Sequence, residues 1–108
     1  MFIGIWFCLI NPVVEELFWR VFVTVMLRGL NGWASPLSAV LYASYHAIPL
    51  QYFAPAWLTC LAVVILVIIG AIFELLGARF GLLVAVMAHS GGDTVIAMVA
   101  SDAVWPWI

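Results

Sequence analysis

From about Pro55 to Leu76 the chain is nearly all aliphatic, and this run restricts the fold more than any other feature. An α-helix needs about 20 mostly apolar residues to cross a bilayer, where its backbone groups must be satisfied within the helix. Three other apolar runs surround it. The first extends from about Phe2 to Arg28, interrupted by Asn11 and Pro12, and the second from Trp33 to about Ile48, where Pro49 stops it. The last covers about Phe80 to Ala100, ahead of Asp102 and an aromatic tail of Trp105, Pro106 and Trp107 suited to a membrane interface. The missing N–H of Pro12 predicts a kink in the first run rather than its end. Gly29, Asn31 and Gly32 read as a turn, and Gly77 with Gly81 reads as a tight turn around Arg79.

Composition agrees. The 108 residues are 69% hydrophobic and 7% charged, with a mean hydropathy of +1.30, far from the balance of a domain that folds in water. These features predict an all-α fold, a polytopic transmembrane helical bundle of about four spans: an integral, multi-pass membrane protein with lipid around it. Residues 1–108 read as a single membrane-embedded domain, whole or part of a longer protein. Short connections favour an up-and-down order that brings Arg28 and Arg79 to one side, which the positive-inside rule makes cytoplasmic. A net charge of -2, with three arginines and no lysine, offers no basic patch for nucleic acid. Cys8 and Cys60 stand in apolar stretches without metal-ligand spacing and read as small buried hydrophobes.

The residues that hydrocarbon should exclude carry the functional signal: Glu15, Glu16, Arg20, His46, His89 and Asp93. A charge at mid-membrane costs about 2.5 to 3.5 kcal/mol on the lenient insertion scale, so each needs a partner or a purpose. Counting helical rise from the arginine-bearing side places Glu15, His46 and Asp93 each about 20 Å deep, with His89 at about 13 Å. Four residues from three runs therefore approach one layer. Glu16 and Arg20, four apart, read as an intrahelical ion pair. Glu15 is turned by about 100° from Glu16 and is free to face His46 or a cavity. His89 and Asp93 share a helix face, and Gly91 and Gly92 between them would let a helix or a substrate approach closely. Ser44, Ser90 and Thr94 read as hydroxyls bonded to helix carbonyls, not as nucleophiles. Carboxylates and imidazoles at one depth match the needs of activating water.

Three motifs in order now resemble a known family. Glu15-Glu16-Leu17-Phe18-Trp19-Arg20 fits EExxxR, Tyr42 to His46 fits (F/Y)xxxH, and His89 to Asp93 fits HxxxN/D. The chain resembles the CAAX protease and bacteriocin-processing (Abi) family of intramembrane proteases over about residues 10–100, with the type II prenyl proteases as a branch. The resemblance implies an intramembrane endopeptidase in which Glu15 and His46 activate the attacking water, His89 and Asp93 stabilise the oxyanion, and Glu16 and Arg20 support the site. Its partner would be a peptide or protein substrate, prenylated or not. Asp93 stands where asparagine is common, so it must be protonated, act through water or orient His89.

Without an HExxH motif the favoured reading needs no cofactor. The alternative is zinc held by Glu15, His46, His89 and Asp93. A third reading, from a different class, is a non-catalytic immunity or scaffold protein whose polar residues only join helices.

Overall fold

The computed structural model describes residues 2–104. Four long helices stand where the four apolar runs lie. Helix α1 covers residues 2–26, α2 Ala34–Leu50, α3 Ala56–Phe80 and α4 Leu82–Val104, and no strand occurs among the described residues. Helix α2 packs along α3, α3 along α4, and the middle of α1 against α4. Two helices, α3 and the Leu82–Val99 part of α4, are long and apolar enough to cross a membrane. Helix α2 has 17 residues, and α1 carries Glu15, Glu16 and Arg20 within its apolar run.

Helix α1 absorbs Pro12 by widening its turns. Pro12 has no N–H for the carbonyl four residues back, and the preceding stretch Trp6–Ile10 is π-helical, with the Asn11 amide donating to the Trp6 carbonyl five residues back. A second π-helical stretch, Leu17–Val23, follows the two glutamates. Its Trp19 carbonyl accepts from the Thr24 amide five residues on and also from the Ser38 hydroxyl at 3.2 Å, so a side chain of α2 shares the acceptor that closes the wide turn. The helix ends at Leu27, and the 3-10 segment Arg28–Trp33 turns the chain, with Asn31 at φ 53.

Several boundaries differ from the sequence expectations. Helix α2 continues through Pro49 to Leu50, and α4 runs through Asp102 to Val104. The α3–α4 turn does not span Gly77 to Gly81. Helix α3 continues through Gly77 and Arg79 to Phe80, and the reversal is made at Gly81, whose φ of 95 suits a residue without a Cβ. Trp105, Pro106 and Trp107 lie outside the described residues.

Burial is inverted relative to a protein folded in water. Glu16, Ser38, His89 and Asp93 are buried, whereas Trp33, Phe53, Trp57, Ile68 and Leu83 are exposed. Apolar surface this continuous belongs against lipid. The buried apolar positions include small residues, Ala39, Ala43 and Ala85, which let backbones approach. Cys60 is exposed and Cys8 half-buried, so neither is the buried hydrophobe expected; their apolar neighbours face outward with them. Close approach also falls elsewhere than expected. A Cβ on Gly91 or Gly92 would meet nothing within 4 Å, whereas one on Gly70 of α3 would lie 3.0 Å from Tyr42 Cδ1 and 3.5 Å from the Ala39 Cα. Gly70 thus seats Tyr42 between α2 and α3.

Gly70→Leu should lower the thermal midpoint in detergent, with an overpacking cost of about 1 to 3 kcal/mol. Gly77→Ala, whose new methyl would sit at an ordinary 3.6 Å from the Ala85 Cβ, should be neutral or stabilising. Equal midpoints for the two variants would remove the α2–α3 contact as a packing constraint.

Candidate active site

Adjacent helical residues point about 100° apart, so the two glutamates of α1 enter different surroundings. Glu16 is fully buried, at 0% exposure. Its Oε2 accepts from Arg20 Nε at 3.1 Å, and its Oε1 lies 2.9 Å from His89 Nδ1 on α4. Beside a guanidinium the carboxylate is an acceptor, so His89 donates its Nδ1–H and turns Nε2 the other way. That nitrogen faces Glu15 Oε2 and Asp93 Oδ1, each at 3.7 Å. The Phe73 ring of α3 stacks on the imidazole with centroids 4.9 Å apart, and Tyr42 meets it edge-on at 6.0 Å. Charge fixes one edge of the ring while aromatic contacts fix its plane.

Glu15 is held differently. Its Oε1 accepts from Asn11 Nδ2 at 2.9 Å, one helical turn earlier. Its Oε2 is buried without a hydrogen-bond partner, 3.7 Å from His46 Nε2 and 3.7 Å from His89 Nε2. His46 Nδ1 lies 2.8 Å from the Tyr42 carbonyl, which can only accept, so Nδ1 carries a proton and Nε2, whose lone pair is free in the neutral ring, is turned toward Glu15. These groups border a cavity of about 430 Å³ together with Asp93, and Leu66 and Ile96 supply apolar wall. Separations of 3.7 Å exceed a direct hydrogen bond and suit a small polar molecule shared between the groups. A carboxylate oxygen and an imidazole lone pair facing one space can accept protons from a molecule placed there.

The structure brings Glu15, His46, His89 and Asp93 together, as their depths along the helices suggest. The Glu16–Arg20 pair is present, but Glu16 does more than neutralise Arg20, because it also holds His89. Sequence spacing could not show a bond between residues 73 positions apart. Two participants escape the sequence reading. Asn11 reads there as part of a kink, although its place four residues before Glu15 is the signal for a same-face contact. Glu74 lies in a run taken as aliphatic, and a lone carboxylate in such a run is itself the signal. Its Oε2 is 3.4 Å from Arg20 Nη1. The Ser44 and Thr94 hydroxyls donate to the Val40 and Ser90 carbonyls at 2.8 and 2.7 Å, so neither is a free nucleophile. Among the described residues no three His, Cys, Asp or Glu side chains gather with the geometry of a metal site.

Ionisable side chains enclosed by helices whose outer faces are apolar define a membrane-embedded helical protein with a polar chemical site. The family model for type II CAAX prenyl endopeptidase Rce1-like matches residues 1–95, and the chain belongs to that family. The family is membrane-embedded and proteolytic. No curated protein matches the chain. No solved structure matches it either.

Removing Glu16 leaves Arg20 and His89 without their shared carboxylate, whereas removing Glu15 breaks one hydrogen bond, from Asn11, and the looser 3.7 Å contacts with His46 and His89. Glu16→Ala should therefore lower stability by about 3 to 5 kcal/mol, the usual cost of breaking a buried ion pair from one side, and Glu15→Ala by much less. Thermal unfolding of the two purified variants checks this, and equal midpoints would contradict the pairing.

Proposed function

We propose that this protein is an intramembrane endopeptidase that hydrolyses a peptide bond with water activated by Glu15 and His46. The observation that carries the reading is the buried Glu15 Oε2, unpartnered and set 3.7 Å from both His46 Nε2 and His89 Nε2 at a cavity wall. A water in that space donates one proton to Glu15 Oε2 and the other to His46 Nε2. Its remaining lone pairs face the cavity, free to attack a carbonyl carbon as one O–H bond breaks toward Glu15 or His46. The proton taken up is returned to the amide nitrogen as the C–N bond breaks, giving a carboxylic acid and an amine.

His89 stabilises the oxyanion. Because its Nδ1–H is committed to Glu16, it donates from Nε2 only as the imidazolium. Asp93 accompanies it at 3.7 Å as the group that orients Nε2, and Glu16 and Arg20 are positioning residues. The substrate is a peptide or protein, prenylated or not, reached within the membrane. Helices α1 and α2 complete a four-span, multi-pass bundle with α3 and α4, since the site they share would otherwise stand open to lipid.

The reaction as written needs no metal. Cleavage of a prenylated peptide by purified protein, with and without chelator, tests it: cleavage that survives chelation supports water activation by side chains, and cleavage lost to chelation and restored by zinc replaces it with the zinc mechanism. Glu15→Gln should lower kcat by about 10² to 10⁴ while the protein stays folded, the range for losing a general base. A folded Glu15→Gln variant with full activity in cells and lower stability would instead favour the non-catalytic immunity or scaffold role. Asp93→Asn separates the two roles open to that residue. A sharp fall in cleavage by a folded variant supports orientation of His89, and retained cleavage assigns Asp93 as an oxyanion donor that an amide replaces.

A further inference from the structure

A second cavity, of about 250 Å³, is bordered by Arg20, Thr24 and Glu74. The Arg20 side chain is only 4% exposed, yet neither Nη nitrogen has a hydrogen-bond partner. One edge of the guanidinium is fixed through Nε on Glu16, its Cζ lies 5.0 Å from the Tyr42 ring centroid, and the side chain borders this cavity. A long side chain with space beside it and one bonded edge can swing, and a buried guanidinium swings toward whatever carboxylate remains. Glu74 is the charge that faces the free edge, with Oε2 at 3.4 Å from Nη1. Its own position is set by Thr24, whose hydroxyl lies 3.0 Å from Glu74 Oε1. The single Thr24 proton has two acceptors at 3.0 Å, the Trp19 carbonyl and Glu74 Oε1, and the carboxylate is the stronger of the two.

We propose that Glu74 is a positioning residue for His89: from α3 it anchors the outer edge of Arg20, which keeps Glu16 on His89 Nδ1 and so keeps Nε2 turned toward the catalytic cavity. The path runs through side chains of three helices, Glu74 to Arg20 to Glu16 to His89, with separations of 3.4, 3.1 and 2.9 Å. Thr24 and Ser38 brace it against α1 and α2. Glu74 touches no reacting atom, and its consequence for rate rests on the proposed role of His89. Its consequence for the His89 ring does not.

The test uses the full chain in detergent micelles with ¹⁵N-labelled histidine. The sequence has two histidines, so the imidazole signals can be assigned by comparison with His46→Gln. Glu74→Gln should weaken the His89 Nδ1–H hydrogen bond, seen as loss of its downfield proton signal, and lower kcat about tenfold with KM unchanged. Glu74→Asp, which keeps the charge on a shorter arm, should restore part of both. Should Glu74→Gln fail to fold, Thr24→Val loosens Glu74 without removing its charge and should shift the same signal less. A folded Glu74→Gln or Thr24→Val protein with unchanged His89 signals overturns the proposal, whatever its activity. If wild-type protein cleaves nothing, the endopeptidase reading fails, while the imidazole signals still decide the role of Glu74.

Discussion

One carboxylate organises the interior. Glu16 has no exposed surface, and its two oxygens are divided between the guanidinium of Arg20 on its own helix and the imidazole of His89 on the last. Two bonds to one charged group set the roll of α1 against α4 and fix which His89 nitrogen looks into the cavity. In hydrocarbon such a group cannot fall back on water, so its partners must be in place for α1 to rest where it does. The same requirement accounts for the ring contacts of Phe73 and Tyr42, which close the space around an imidazole already tied at one edge.

The proposed function rests on a division of labour between neighbours in sequence. Glu16 is saturated by partners and structural, while Glu15, one residue earlier, has an oxygen bonded by Asn11 and an oxygen left facing two imidazoles. A carboxylate fully satisfied by fixed donors is a poor base, and one with an unpartnered oxygen at a cavity wall is available for proton transfer. The difference is made by helical rotation alone. The π-helical turns on either side of the pair let α1 pass Pro12 without a break and present both glutamates from one continuous helix.

Much of this was legible in the residues. Four apolar runs, the turn residues between them and the common depth of Glu15, His46 and Asp93 followed from periodicity and helical rise, because lipid punishes polar groups wherever they lack a reason. The family was legible from three spaced motifs. The contribution of Glu74 was hidden because its significance depends on facing Arg20 across a helix interface, and that of Gly70 because close approach is a property of two helices together. Gly91 and Gly92, more conspicuous in the sequence, border open space.

The sequence by itself determined the solvent, the helical class, the candidate residues and the Glu16–Arg20 pair, since each depends on composition or on contacts within one helix turn. Only the tertiary structure decided that Glu16 also binds His89, that Asn11 and not solvent holds Glu15, and which nitrogen of each histidine faces the cavity. The imidazole tautomers are set by the group on the opposite ring nitrogen. For His89 that group is a carboxylate 73 residues away, brought within 2.9 Å only when α1 packs against α4.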